Sequence, residues 1–390
     1  MRFPEIAVYH AGELVGEVAG YTDLDFSFKW AGVETAQFSV PGVPAFLSAF
    51  DAPETVWLDV VINDVMPWTG HITEIKIRFS REKGYITDFD CEGAKAVLDN
   101  LLVYPDPGSP VEIQSAAESF KLTGIADDVA GTVIRDAAGR QGVPVEFFPG
   151  SSEAGGTTNI SVDARMAGVG KTLEDALGAV GLGLRARYWY PGIGLPDFTK
   201  GPGVVIVDVV EPATNDVVMW GEADLLDGGV TITPSSSSSL VVGGPGQGVE
   251  RQYALIDDYA TGSTMTPWGG LQAYVDAPPA QGQEFIPQDD SRVVNARAAA
   301  RGGVVADMTV EDGSPFEFGR DYLLGDVVTA EVAGIRTRAQ ITEIAVSVSP
   351  DSGRKVTPRI GDKKATSPLA ALVGVVADLA RDKNERERAV

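Results

Sequence analysis

Hydrophobic and polar residues alternate through most of the first hundred positions. In the segment LDFSFKW (24–30), apolar side chains occupy every second position, and Asp, Ser and Lys lie between them. The same alternation recurs in 35–40, 56–62, 71–79 and 85–91, with polar breaks at hairpin spacing. This pattern is typical of half-buried antiparallel strands, and at least five of them predict a β-sandwich or β-barrel.

Apolar residues recur at helical spacing in the middle of the chain. The segment 123–142 predicts a helix with Thr123 as a possible cap and Gly139 or Gly142 as its end. A second helix is predicted over 171–181, and it runs into a strand-like segment.

Further helix signals occur in the second predicted helix and, between strand-like segments, toward the end of the chain. Thr172 and Asp175 form a capping-box-like pair in the second predicted helix. From residue 203 onward β-character dominates, interrupted by a short predicted helix within 291–310. A last helix is predicted to begin at Ser367, where proline follows at the first helical position.

The tetrapeptide ITEI occurs twice, at 72–75 and 341–344. The match extends upstream to an Asp-Val-Val triplet and downstream to a Ser-x-x-x-Gly turn. The paired positions are Asp59 with Asp326, Ser80 with Ser349, and Gly84 with Gly353. The spacing from ITEI to the turn is identical in the two copies, and an extended match of this kind indicates a repeated unit. We therefore expect two β-units of the same topology, with Ile75 equivalent to Ile344.

The predicted fold is mainly β with α/β insertions. It comprises two tube-like antiparallel β-barrel or sandwich domains and peripheral α+β domains. The expected division is a first tube-like domain (1–98), a peripheral α/β domain (99–202), a second tube-like domain (203–244 with 314–362), an inserted peripheral domain (245–313) and a C-terminal helix or tail (363–390).

Composition narrows the class of protein. The chain has 390 residues with 44% apolar content, which is enough for packed cores. Its net charge of −24 argues against a surface that grips nucleic acid phosphates. No apolar secretory segment is evident at the start, and the run 369–377 is too short to span a bilayer. A soluble protein without a membrane anchor is expected.

Two glycine-rich motifs suggest nucleotide binding but do not fit it. A P-loop needs glycine five positions before Gly170, where this chain has Arg165, so GVGKT (168–172) is interpreted as a helix start. The glycines of GGPGQG (243–248) do not follow Gly-x-Gly-x-x-Gly, and a strand-like segment follows them. This segment is interpreted as a turn between strands.

Other candidate catalytic side chains are few. Cys91 lies on an apparent inward strand face and is interpreted as a core residue, and a single cysteine excludes an intramolecular disulfide. His71 has Gln340 as its repeat counterpart, which favours a structural or surface role over a general base, and His10 is the only other histidine. We predict no catalytic, cofactor-binding or metal-binding residues, no cofactor, and no enzymatic activity.

The order of elements resembles the central hub proteins of bacteriophage tail tips and baseplates, a tail tube-like family that includes siphophage minor tail proteins. The resemblance rests on three segments, which are MPWTGHITEI followed by CEGAKAVLDNLL, KTLEDALGAVGLGLRARYWYPG, and GGPGQGVERQYALIDD with YLLGDVVTAEVAGIRTRAQITEI. It covers most of the chain. No enzymatic or fibre domain follows residue 362, unlike in larger relatives, so cell-wall degradation is not expected of this polypeptide.

The resemblance implies a homotrimer with two tube-like domains in each subunit. Such a trimer would adapt a six-fold tail tube to a three-fold tip and line a channel through which DNA passes without specific binding. The implied partners are tail tube or distal tail proteins above and tip or spike proteins below. The implied location is the virion, after assembly in the host cytoplasm. Glu74 and Glu343 occupy matched positions on the strand face opposite to that of Ile75 and Ile344. They are therefore candidates for channel-facing carboxylates, with charge on the outer surface as the alternative.

Two other functions stay open at this stage. One is a cell-wall glycan hydrolase that uses paired carboxylates, which are abundant in this chain. The other is a carbohydrate- or receptor-binding β-protein. Zymography on glycans would favour the first, and exposed aromatic platforms with monomeric behaviour would favour the second.

Overall fold

The computed structural model describes most of the chain. The described residues are 4–18, 20–50, 56–82, 84–191, 201–233, 239–246, 248–256, 272–278, 303–310 and 315–361, together with a few positions between 285 and 296. The predicted C-terminal helix and most of the predicted helix within 291–310 lie outside these residues. Within them, no helix is long and apolar enough to cross a bilayer.

The first β-unit contains seven strands. They are β1 (Glu5–His10), β2 (Glu13–Val18), β3 (Asp23–Lys29), β4 (Thr35–Pro41), β5 (Asp59–Asn63), β6 (Trp68–Ser80) and β7 (Gly84–Gly93). Their spatial order is β3-β4-β7-β6-β5-β1-β2, and every pairing between neighbours is antiparallel. Because apolar residues alternate along these strands, each strand turns one apolar face to a shared core.

The middle region is α/β. Its elements are α1 (Lys95–Asp99), β8 (Leu102–Val103), β9 (Phe120–Ile125), α2 (Ala126–Gln141), β10 (Val145–Phe147), β11 (Asn159–Ala164), β12 (Ala167–Gly168), α3 (Val169–Gly178), β13 (Gly183–Trp189) and β14 (Val204–Val210). The helices pack with a three-stranded sheet, β10-β14-β13, around a second hydrophobic core.

The second β-unit follows, with a small insertion. Its strands are β15 (Thr214–Trp220), β16 (Leu225–Thr233), the inserted β17 (Ser239–Gly243), β18 (Tyr253–Ile256) and β19 (Gln272–Asp276), then β20 (Gly303–Val310), β21 (Val327–Val332), β22 (Ile335–Ser349) and β23 (Gly353–Ile360). The inserted strands form a separate three-stranded sheet. That sheet lies in the connection 234–302, whereas the matching β3–β4 connection in the first unit is only 30–34.

Both units belong to one 13-stranded sheet. In the second unit the order is β16-β20-β23-β22-β21, all antiparallel, which repeats the order β3-β4-β7-β6-β5. The repeat ends there, because β15 pairs parallel with β21 whereas β1 pairs antiparallel with β5. The units join where β3 pairs with β22, and they share one hydrophobic core. A partly buried ion pair between Arg354 and Asp64, at 2.7 Å, also links them. The prediction of a mainly β chain with α/β insertions is confirmed.

The helices begin at different residues from those predicted. Thr123 lies in strand β9, where its hydroxyl contacts Ser161, and α2 begins after Ile125 because the chain must first pair with β11. The predicted end at Gly142 is confirmed, since this residue adopts a left-handed conformation. In α3 the cap is Gly168, and Thr172 lies inside the helix with its hydroxyl donating to the Gly168 carbonyl at 2.8 Å.

Strand β20 belongs to the large sheet, although its residues fall within the region 245–313 that the sequence assigned to the inserted domain. It pairs with β16 and β23, and its buried side chains Ala306, Met308 and Val310 join the main core. Its sequence, GVVADMTV, follows the alanine-rich segment that suggested a helix.

Candidate assembly interface

The two hairpins that contain the ITEI segments have the same geometry. The pairing shifts register at one place in each, between Ile72 and Glu74 in the first and between Ile341 and Glu343 in the second. The residue skipped by the pairing is therefore the threonine of ITEI in both copies, and it forms a β-bulge. Beyond it, the turns close with Ser80 opposite Gly84 and with Ser349 opposite Gly353. The equivalence inferred from the sequence thus extends to the register.

The upstream part of the sequence match is out of register by one residue. Strand β5 places Val60 opposite Gly70, and β21 places Val328 opposite Ala339. Since Gly70 and Ala339 occupy equivalent positions, Val60 corresponds to Val328, whereas the Asp-Val-Val match paired it with Val327. In the second unit the triplet lies two residues further from ITEI than in the first. The segment between the equivalent residues is one residue longer there, 329–338 against 61–69, and the other residue appears as the offset.

Equivalent apolar side chains of the two hairpins differ in exposure. Val346 and Val348 in β22 are each 1% exposed, whereas their counterparts Ile77 and Phe79 in β6 are 51% and 64% exposed. Tyr85, which packs beside Phe79 with ring centroids 5.0 Å apart, is 52% exposed. The reason is that β3 pairs with the outer half of β22, and no described strand pairs with the outer half of β6.

Charged side chains cover the opposite face of the first hairpin. Lys76 contacts both Glu74 and Asp90 at 2.7 Å, and Arg78 contacts Asp88 at 2.6 Å. The hydrogen bond from Arg78 lowers the pKa of the Asp88 carboxyl. These pairs are largely exposed, so their main consequence is a polar, mixed-charge surface rather than stability.

The second candidate carboxylate has a comparable position. Glu343 lies on the same face of β22, 4.0 Å from Arg359, which also contacts Asp307 at 3.0 Å. The structure therefore places Glu74 and Glu343 at equivalent positions away from the core, each beside a cation. Their orientation toward a channel stays a prediction.

A buried ionic cluster attaches the middle region to the first β-unit. The Lys95 ammonium donates to the carbonyl groups of Lys29, Trp30 and Gly32 at 3.1 to 3.2 Å, and it contacts Glu174 at 3.2 Å. Glu34 lies buried beside this pair. Burial raises the pKa of Glu34 to about 7, against the opposing attraction of Lys95. Helices α1 and α3 thus hold the β3–β4 connection.

A second polar cluster lies between β5 and β13, beside a cavity of about 680 Å³. The Asp59 carboxylate accepts hydrogen bonds from the Trp57 indole at 2.8 Å and from the Tyr190 hydroxyl. Burial raises the pKa of Asp59 to about 6. The indole of Trp57 also stacks on His71 with ring centroids 4.2 Å apart, and burial lowers the pKa of His71 to about 4. His71 is thus buried against Trp57 within the first β-unit.

The remaining motifs have structural explanations. At the start of α3, the Asp99 carboxylate accepts a hydrogen bond from the Lys171 amide at 3.0 Å, so a protein anion already occupies the position a phosphate would need. The segment 243–248 connects the antiparallel strands β17 and β18, as predicted. Cys91 is buried in the main core, and burial raises the pKa of its thiol. Among the described residues, no group of side chains is arranged to hold a metal ion.

The fold is shared with phage tail proteins of known structure. A 43 kDa tail protein of prophage MuSo2 from Shewanella oneidensis is 12% identical over 93% of this chain and 100% of that chain, with a TM-score of 0.50. The prophage tail protein gp18 from Listeria monocytogenes EGD-e is 11% identical over 97% of this chain and 98% of that chain, with a TM-score of 0.50. This protein therefore has the fold of a phage tail protein.

A family model adds a sequence-level assignment. The model described as Siphovirus ReqiPepy6 Gp37-like protein matches residues 10–362. The chain belongs to this siphovirus family. No curated protein matches the chain. The resemblance to phage tail proteins that the sequence suggested is thereby confirmed.

Proposed function

We propose that this siphovirus protein is the central hub of a phage tail tip or baseplate. In this role three copies form a ring that adapts a six-fold tail tube to a three-fold tip. The supporting observation is the pair of matched β-units joined edge to edge in one sheet. Three chains with two units each supply six equivalent positions around a channel, which matches a six-fold partner on one side and a three-fold partner on the other.

The domain division follows from this role. The two β-units form the wall, and the middle region and the small sheet β17-β18-β19 lie outside it. Because α1 and α3 hold the β3–β4 connection of the first unit, the middle region is attached at one side of the wall. Tail tube or distal tail proteins bind one rim, and tip or spike proteins bind the other.

Glu74 and Glu343 line the channel in this proposal. Carboxylates on the wall repel DNA phosphates, and at physiological salt this repulsion acts within about 8 Å of the wall. DNA then passes without adhering. Virions that carry Glu74→Lys and Glu343→Lys should assemble and adsorb normally but eject DNA more slowly. Unchanged ejection kinetics would place both carboxylates outside the channel.

The assembly itself is tested by native mass spectrometry and by electron microscopy of the virion. We expect a mass of three chains and a three-fold ring at the tail tip. A stable monomer in the particle would contradict the proposal. The role is structural rather than enzymatic, so no hydrolysis is expected in zymography on peptidoglycan.

A further inference from the structure

On one edge, the outer half of β6 has no partner among the described strands, whereas its counterpart in β22 has one. Residues 343–348 of β22 pair with β3, and the equivalent residues 74–79 of β6 pair with β7 on one side and with no described strand on the other. The apolar side chains Ile77 and Phe79 are exposed along this edge. An exposed edge of this kind is a template for another strand.

The strand that would fill this place also exists in the chain. Strand β16 occupies in the second unit the position that β3 occupies in the first. The first unit has the order β3-β4-β7 at this side, and the second has the matching order β16-β20-β23. Strand β3 pairs with β4 on one side and with β22 on the other. Strand β16 pairs with β20, and its second edge has no described partner.

The internal joint fixes which residues would face each other. Cys91 and Ile360 are equivalent, and they pair with Ala36 and Met308, which in turn pair with Phe26 and Gly228. Gly228 therefore corresponds to Phe26. Counting along both strands, Gly229 corresponds to Ser27, Val230 to Phe28, and Asp227 to Asp25.

We propose that β16 of one copy pairs antiparallel with β6 of the next copy, in the register that β3 and β22 adopt within the chain. Val230 then lies opposite Ile75, Gly229 opposite Lys76, and Asp227 opposite Arg78. This inference rests on the proposed assembly of several copies, and it names the contact that assembly uses. The joint between chains thereby repeats the joint within a chain.

The side chains on the two edges are complementary. Arg78 and Asp227 carry opposite charges and would form a directly opposed pair, the favourable arrangement across antiparallel strands. The pairing would also cover Ile77 and Phe79, as β3 covers Val346 and Val348. The two edges lie on different units, so the contact is head-to-tail, and it closes into a ring when the rotation per chain divides a full turn.

Disulfide cross-linking measures this register. The Trp30 amide donates to the Thr342 carbonyl at 2.9 Å, so these two residues form a hydrogen-bonded pair. Hydrogen-bonded and non-hydrogen-bonded pairs alternate along antiparallel strands, and Ser27 with Ala345 is the third pair further along, so it is a non-hydrogen-bonded pair. Side chains at such a pair approach closely enough for a disulfide. Their predicted intermolecular equivalents are Gly229 and Lys76. A side chain at Gly229 meets no atom within 4 Å.

The variant Lys76→Cys/Gly229→Cys should cross-link between chains under mild oxidation and give dimers and trimers on a non-reducing gel. An equal mixture of the two single variants should give cross-linked dimers only, because each chain then offers one thiol. The matched control, Ser80→Cys/Gly229→Cys, keeps Arg78 and is four residues out of register, about 13 Å, so it should not cross-link. The native Cys91 is buried and leaves the background low.

The outcomes separate this inference from the proposed function. A three-chain assembly in which Lys76→Cys/Gly229→Cys fails to cross-link, or in which the control cross-links equally, overturns the register and leaves the hub intact. A monomer under all conditions overturns both.

A charge exchange gives an independent measurement of the same contact. Arg78→Asp should weaken assembly about tenfold through repulsion from Asp227, and adding Asp227→Arg should restore it to within about threefold. Loss of assembly that the second substitution does not restore would contradict the Arg78–Asp227 pairing.

Discussion

The hairpins β6–β7 and β22–β23 share a bulge, a turn and a register, yet one exposes the apolar face that the other buries. The sequences of the two are equally apolar at these positions, so sequence does not account for the difference. What differs is the neighbour, because β3 pairs with β22 and no described strand pairs with the outer half of β6. This difference in exposure at matched positions is what motivates the proposed pairing of β6 with a strand of another copy.

The largest expected effect on stability comes from introducing a charged side chain at one of two matched apolar positions, Val346 and Ile77. Val346→Asp should lower the free energy of unfolding by about 3 kcal/mol or more, since it buries an unpaired carboxylate. The matched Ile77→Asp should cost less than about 1 kcal/mol in a separate chain, because its side chain stays in water. Urea unfolding of dilute protein measures both. Equal losses at the two positions would refute the comparison.

The next largest effect is a pH dependence of stability caused by Glu34, which lies in the β3–β4 connection. This connection differs more between the two units than any other connection between their strands. Burial raises the pKa of Glu34 to about 7, above its ordinary value of 4.5, so between these values the folded chain holds a proton that the unfolded chain has lost. Stability therefore falls as the pH rises through this interval, by on the order of 3 kcal/mol from this group.

Glu34→Gln should remove that part of the decline and raise the free energy of unfolding at pH 8. The difference between variant and wild type isolates Glu34 from other buried groups such as Asp59 and His71. Chemical unfolding from pH 4.5 to 8 measures it, with the exposed Glu82→Gln as the control. Parallel curves for Glu34→Gln and wild type would show that this carboxyl does not titrate as described.

Substitution of the two turn glycines should lower stability by a smaller amount, and by the same amount in each unit. Gly84 and Gly353 have φ angles of 72° and 74°, and an added Cβ at either meets no atom within 4 Å. Gly84→Ala and Gly353→Ala should each cost about 1 kcal/mol from backbone strain alone. Thermal unfolding of the pair measures this, and unequal losses would mean that the turns are not equivalent.

The bulge threonines give the smallest effect. The Thr342 hydroxyl donates to the Gly361 carbonyl at 2.6 Å, and the Thr73 hydroxyl donates to the Asp90 carbonyl at 3.1 Å at an exposed site. Thr342→Val should cost about 1 kcal/mol, and Thr73→Val about 0.5 kcal/mol or less. Hydrogen exchange of the adjacent amides provides a local readout. A larger loss at Thr73 would reverse the predicted order.

Sequence patterns predicted the strands of both units and the equivalence of the hairpins, because period-two alternation and a turn motif are local properties. The equivalence of Val60 with Val328 was not predicted, since the short Asp-Val-Val match takes no account of the two extra residues before the second ITEI. The start of α2 was also missed, because Thr123 suits a helix cap locally but pairs with β11 in the fold. The edge match between β6 and β16 required the pairing of strands distant in sequence.

The unequal connections of the two units affect how the chain can vary. A wall built from one kind of subunit repeats every loop, so any insertion appears around its whole circumference. Here the connection 30–34 stays short, and the connection 234–302 carries a three-stranded sheet. Duplication within a single chain leaves one copy free to acquire an appendage while the other stays compact. Substitutions in the inserted sheet can then accumulate without altering the contacts of the first β-unit.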